Sequence, residues 1–152
     1  MFIKSKQLKD FTLIEILVVI SIVSALASIM MLGFQNYASY QQYNQAVGDV
    51  KFVLNQSRVN ARSAVDDKSH GVKFFSNSIT QYIGNPYSLS NPTNRVINYS
   101  LVTIQANLKG GVDQILFNKL TGIPSATGTI VVSGTKFLAS TTIKITDTGV
   151  IQ

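Results

Sequence analysis
The 152-residue chain has no cysteine, one histidine and one glutamate. Without thiols, no disulfide braces the fold and no thiolate chemistry is available. With His70 alone, neither a histidine-based triad nor a zinc centre with its ordinary ligands assembles within one chain. Charge is scarce, at 13% of residues, which is low for a soluble protein. Proline is absent before Pro86, and Gly33 and Gly48 are the only glycines before Gly71, so little in that stretch forces a break in regular structure. Lys109-Gly110-Gly111 and Thr121-Gly122 lack the Gly-Lys-Ser/Thr ending of a phosphate loop and read as turns. These gaps point away from an enzyme, and neither a cofactor nor a resident metal is implied. Asp66-Asp67 reads as exposed charge at a helix end, with calcium ligation the weaker alternative.

What the chain does have is one apolar run, Phe11 to Phe34 (FTLIEILVVISIVSALASIMMLGF), broken by a single charge at Glu15. At 1.5 Å rise per residue, a helix of about 20 residues crosses the roughly 30 Å hydrocarbon layer of a bilayer. Ser21, Ser24, Ala25, Ala27 and Ser28 are interspersed among larger apolar residues, and small residues let helices approach closely. The run therefore suits lipid or a bundle of like helices. Glu15 is the anomaly, because a carboxylate inside the apolar layer costs on the order of 3 kcal/mol and calls for a partner. It either lies solvated at the membrane interface or meets a cation from elsewhere. Lys4, Lys6 and Lys9 precede the run and by the positive-inside rule keep the N-terminus cytoplasmic, sending the rest outward. A rival reading takes Ala25-Leu26-Ala27 as a signal-peptidase site with a mature N-terminus near Ser28, although Glu15 interrupts the apolar stretch this needs and Ile29 to Leu32 prolongs it.

The stretch FTLIEILVVISIVSALAS, following those lysines, resembles the class III signal of type IV prepilins and of type II secretion pseudopilins. The resemblance implies that a basic leader, residues 1–10, is removed by prepilin peptidase between Asp10 and Phe11. It also implies that Phe11 is N-methylated and that Glu15, fifth in the mature chain, serves assembly by meeting the N-terminal amine of a neighbouring subunit. Opposite charges about 4 Å apart are worth about 4 kcal/mol at an effective dielectric of 20, comparable to the insertion cost. Two positions depart from the family's pattern: Asp10 stands where it has Gly, and Leu32, beside Gly33, stands where many pilins carry a kinking Pro. The lack of cysteine, where many major pilins close a C-terminal loop with a disulfide, tilts the resemblance toward a pseudopilin or minor pilin.

Beyond Phe34 the composition turns polar, yet Tyr40, Tyr43, Val47, Val50, Leu54, Ala61 and Val65 recur at the spacing of one helical face. The spacing predicts that the helix runs on to about Val65, roughly 80 Å from Thr12. The repeat is too short for a coiled-coil seam, so the stripe is expected to bury against the remainder of the chain. Tyr37, Tyr40 and Tyr43 suit interface anchoring or subunit packing. After Asp66-Asp67-Lys68-Ser69 the pattern turns to short strands. Gly71 to Phe75 and Ser78 to Ile83 read as a hairpin, followed by an exposed loop rich in Asn, Ser and Pro around Asn85-Pro86 and Asn91-Pro92. Strands are further expected at Val96 to Ile104, Gln114 to Phe117, Gly128 to Val132, Thr141 to Thr146 and Gly149 to Ile151, with a turn at Asp147-Thr148-Gly149. The expected fold is α+β: residues 11–34 form a transmembrane and assembly half of the helix, 35–65 an amphipathic half, and 66–152 an antiparallel β-rich head. SRVNARSAV, HGVKFFSNSITQYI, LFNKLTGIPSATGTIVV and TIKITDTGVIQ loosely resemble the H-type pseudopilin and its relatives.

Removing residues 1–10 takes away three Lys and one Asp and lowers the formal net charge from +6 to +4. Scattered mild basicity is an ordinary solvated surface. The resemblance implies a structural subunit of a type IV pilus-like or type II secretion filament, single-pass in the cytoplasmic membrane before joining an extracytoplasmic filament. Its implied partners are prepilin peptidase, other pilin or pseudopilin subunits, the inner-membrane assembly machinery and lipid. The alternative is a minor pilin at a filament tip that binds DNA or a surface, with Lys109, Lys119, Lys136 and Lys144 as the candidate nucleic-acid contacts.

Overall fold
In this computed structural model residues 11–136 and 138–152 are described, so Lys4, Lys6, Lys9 and Asp10 lie outside the described residues. The described chain divides between Ala38 and Ser39 into two units. Helix α1, Leu13–Arg62, contributes to both, and seven strands follow. This is an α+β chain, with one long N-terminal helix and an antiparallel β region after it.

The start of α1 is set locally. Thr12 precedes the helix, and its Oγ1 accepts from the Glu15 N–H at 3.3 Å, occupying one of the donors that a helix N-terminus leaves without an intrahelical partner. Glu15 sits in the first turn, where a carboxylate opposes the positive end of the helix dipole. The other end comes earlier than periodicity predicts. The helix stops at Arg62 instead of reaching Val65, because Ala64 takes a left-handed φ of 48° and Asp66 and Asp67 follow at 54° and 57°. A short 3-10 turn, Val65–Asp67, replaces the last helical turn. Tertiary contacts fix this ending: Leu120 N–H donates to Ala61 O at 2.9 Å, and Lys119 pairs with Asp67.

The β region forms two antiparallel sheets. One has the order β3-β2-β1-β5, from β1 His70–Phe74, β2 Ser78–Ile83, β3 Arg95–Asn98 and β5 Gln114–Phe117. The other has the order β4-β6-β7, from β4 Val102–Leu108, β6 Gly128–Gly134 and β7 Ser140–Ile145. The single strand expected over Val96 to Ile104 is therefore two strands in different sheets. The cause is a bend at Ser100-Leu101 that the β1–β2 turn holds from both sides: Tyr99 N–H donates to Asn77 O and Ile104 N–H to Ser76 O, each at 2.8 Å. The last expected strand, Gly149 to Ile151, amounts to an isolated bridge between Ile145 and Ile151.

The core of the second unit joins one face of α1 to both sheets. Tyr43, Ala46, Val50, Val53, Leu54 and Ala61 cluster with Val72, Phe74, Ile79, Ile115 and Phe117 of one sheet and with Ile104, Ile130, Val132, Ile143 and Ile145 of the other. The buried helical row differs in part from the expected stripe. Tyr40 and Val65 are exposed, while Ala46, Val53 and Ser57 join the buried set. Tyr43 is a core residue here and not an interface anchor, with its hydroxyl 2.6 Å from Thr141 Oγ1. Ser57, fully buried, accepts from Gln81 Nε2 at 3.0 Å, which offsets the cost of a buried hydroxyl.

One cross-strand pair is unusually tight. Gly71 lies opposite Tyr82, and a Cβ built on Gly71 would stand 2.3 Å from Cζ of that buried ring. The tyrosine ring occupies the space a side chain at position 71 would take. Gly71→Ala is therefore expected to destabilise the head by about 1–3 kcal/mol, the usual cost of overpacking, read as a lower urea midpoint at unchanged slope.

Candidate functional site
Among its described residues the first unit offers one surface and one charge. Every described side chain from Phe11 to Met31 is exposed, and the most apolar 18-residue window of α1 has a mean hydropathy of 2.6 with none of it buried. The only hydroxyls between Ile16 and Phe34 are satisfied inside the helix. Ser21 Oγ donates to Val18 O and Ser24 Oγ to Ile20 O, both at 2.7 Å, and Ser28 Oγ donates to Ser24 O at 2.9 Å. Such back-bonding removes the polar cost of a hydroxyl facing hydrocarbon. Among the described residues Glu15 is the one charged group on this segment, and no described lysine or arginine pairs with it. It shares a shallow groove of about 240 Å³ with Phe11, Ile16 and Val19, so the two residues singled out by the N-terminal motif stand on one face of the helix start.

Sequence reasoning missed the capping role of Thr12. Thr12 and Glu15 have the Ser/Thr-x-x-Glu spacing of a helix N-terminus, and that spacing is legible in the sequence.

In the second unit the four candidate lysines do not form one patch. Lys109 and Lys144 line a common groove of about 550 Å³ with Thr127, Thr129, Thr146 and Asp147, at the end of the β4-β6-β7 sheet. Lys119 is committed to Asp67, and Lys136 lies exposed on the β6–β7 connection. His70 is buried, with Nε2 3.1 Å from Val65 O. A carbonyl only accepts, so Nε2 carries the proton and His70 serves the fold. Among the described residues no three His, Cys, Asp or Glu side chains gather around a common point.

A second cleft, of about 250 Å³, lies between α1 and the end of β3, lined by Gln42, Gln45, Asp49, Ile97, Tyr99 and Ser100. Asp49 is half-buried there and, among the described residues, accepts a hydrogen bond only from the Tyr99 hydroxyl, at a long 3.5 Å. Tyr99 has its pKa raised, by burial first and then by the Asp49 charge and hydrogen bond. Tyr82 is pushed up to about 12, by burial first and then by the Asp113 charge. Asp113 itself pairs with Lys73 at 3.1 Å, and the Lys73 ammonium lies 5.1 Å from the centre of the Tyr87 ring.

No family profile, no curated protein and no solved structure matches this chain. The functional reading therefore stands on its residues and their geometry.

The two tyrosines carry a pH consequence. Their folded pKa values exceed the unfolded value of about 10, so the unfolded chain gives up these protons first and their contribution is lost as pH rises from about 10 toward 12. Below about pH 9 they add no slope. Urea midpoints at pH 9 and pH 11 should fall less for Tyr82→Phe than for the unsubstituted protein.

Proposed function
We propose that this chain is a pilin-like structural subunit, inserted in a membrane by the first part of α1, processed before Phe11, and assembled through that helix into a filament. The observation that carries the reading is a helix segment exposed on every side, apolar throughout, with its hydroxyls answered internally and one carboxylate near its start. A surface of this kind is covered either by lipid or by other apolar helices. A membrane subunit that leaves lipid for a helical bundle uses both coverings in turn. Helix α1 also carries Phe52 and Val59 exposed in the second unit. They are spaced seven apart on the face opposite the core, where they support contact with a further helix.

Glu15 then acts as the selector of assembly. Its insertion cost of on the order of 3 kcal/mol is offset when the N-terminal amine of a neighbour approaches, an attraction worth about 4 kcal/mol near 4 Å at an effective dielectric of 20. The pair forms only between subunits, so it favours assembled over isolated copies. Head-to-tail contacts whose rotation does not close give an open filament, and the proposed assembly is of that kind. The role is mechanical, with no catalytic step assigned.

A second reading, DNA or another polyanion bound by the head, is supported by the shared groove of Lys109 and Lys144. It is weakened by the commitment of Lys119 to Asp67.

Three measurements decide between these readings. The mass of the mature N-terminal peptide should correspond to methylated Phe11, and Glu15→Gln should lower recovery of the subunit in filament fractions by about tenfold while leaving its membrane level unchanged. A terminus near Ser28 contradicts the subunit reading, and full incorporation of the Gln variant contradicts the charge-pairing role of Glu15. For the second reading, Lys109→Ala should weaken DNA binding and reduce its salt slope by about 1, and no change would retire the groove.

A further inference from the structure
β3 is an edge strand. It pairs with β2 alone, Ile97 opposite Ile79 and Arg95 opposite Gln81. Tyr99 N–H donates to Asn77 O, and in an antiparallel ladder backbone groups alternate between the two sides of a strand. Arg95, Ile97 and Tyr99 therefore spend their backbone groups on β2, while Val96 and Asn98 direct N–H and C=O outward. Among the described residues no other backbone bond takes up these outward groups, so the edge is an open template for one more strand.

Side-chain chemistry marks the same edge at both ends. Ile97 and Tyr99 pack toward the core, and period-two alternation places Arg95 on that face too. Beyond Tyr99 the cleft holds Asp49, whose carboxylate is paired with no described lysine or arginine and accepts only the weak Tyr99 contact. One wall is fixed by Ser100 Oγ donating to Gln42 Oε1 at 3.2 Å. A half-buried carboxylate beside an aromatic ring favours a long cationic side chain, through charge pairing and through the ring face. Arg95, exposed and in no ion pair among the described residues, favours a carboxylate four residues along the strand.

We propose that the β3 edge captures an extended segment of another polypeptide, running antiparallel to β3, with a lysine or arginine opposite Tyr99 inserted toward Asp49 and an aspartate or glutamate opposite Arg95. Backbone bonds to Val96 and Asn98 supply affinity, and the two charged ends fix direction and register, the division of labour of strand addition. The recognised pattern is basic-x-apolar-x-acidic, its middle residue lying over Ile97. This inference concerns the head alone and stands or falls separately from the filament reading.

The test uses the full chain in detergent micelles and a fluorescent acetylated, amidated peptide, Lys-Thr-Val-Thr-Glu, followed by polarisation. Saturable binding is expected, weakened about tenfold by Asp49→Asn and by N-methylation of the two threonine nitrogens, which removes donors to β3. Arg95→Glu should weaken the same peptide and regain affinity for Lys-Thr-Val-Thr-Lys. Each variant changes a residue outside the buried core, and unchanged far-UV circular dichroism confirms its folding. Equal affinity across the variants overturns the proposal, as does full retention of binding by the N-methylated peptide. Complete displacement by free lysine at the peptide's own concentration reduces the site to a cation pocket and overturns strand addition. A dimer that forms without peptide and is split by Arg95→Glu assigns the edge to a second copy and overturns the foreign segment.

Discussion
The head depends on burying one face of α1 beneath two sheets at once. Val50, Leu54 and Ala61 lie in the same cluster as the inward residues of both. Removing a Val or Leu side chain from water contributes about 1.5–3 kcal/mol, so a continuous row of them is the main term holding the sheets to the helix. Ala46 and Ser57 in that row are small, which lets the sheets come close. At the end of the helix Gly122 takes a left-handed φ of 64° that favours glycine, with the Arg62 side chain packed against it. Arg58, one turn earlier, donates from Nη2 to Thr148 O at 2.9 Å, tying the final turn of the chain to the helix.

The first unit obeys the opposite rule. None of its described side chains from Phe11 to Met31 is buried, and the hydroxyls of Ser21, Ser24 and Ser28 turn back onto the helix backbone. In the proposed reading this surface is covered by an apolar medium or by its own kind, and Glu15 gives the choice between them a direction. The proposed assembly and the exposed Phe52 and Val59 belong to the same logic: one helix buries one face within its own chain and leaves another for a neighbour. Edge strand β3 applies that economy to backbone groups, with Val96 and Asn98 left to an external partner and charged residues to choose it.

Much of the fold was legible in local pattern. The apolar run, the helix continuing past Phe34, the β1–β2 hairpin and the positions of β5, β6 and β7 follow from periodicity and turn residues. Tyr43, Val50, Leu54 and Ala61 were legible as buried because a stripe at helical spacing has to face something. Tyr40 and Val65 share that spacing yet stay exposed, since the ends of a stripe are buried only if the partner sheets reach them. The early end of α1 was not legible, because it comes from Leu120 and Lys119, more than fifty residues away. The four lysines were equally unreadable as a set: sequence spacing says nothing of which two will share a sheet end.

The sequence by itself determined the α+β class, the apolar segment with its one charge, and the scarcity of groups able to do chemistry, all properties of composition and short-range periodicity. Tertiary structure alone decided the split of the Val96 to Ile104 run into two sheets, the glycine-on-tyrosine contact between Gly71 and Tyr82, and the cleft at Asp49. Each of those results from hydrogen bonds and packing between residues remote in the chain, whose energies exist only once the chain has closed on itself.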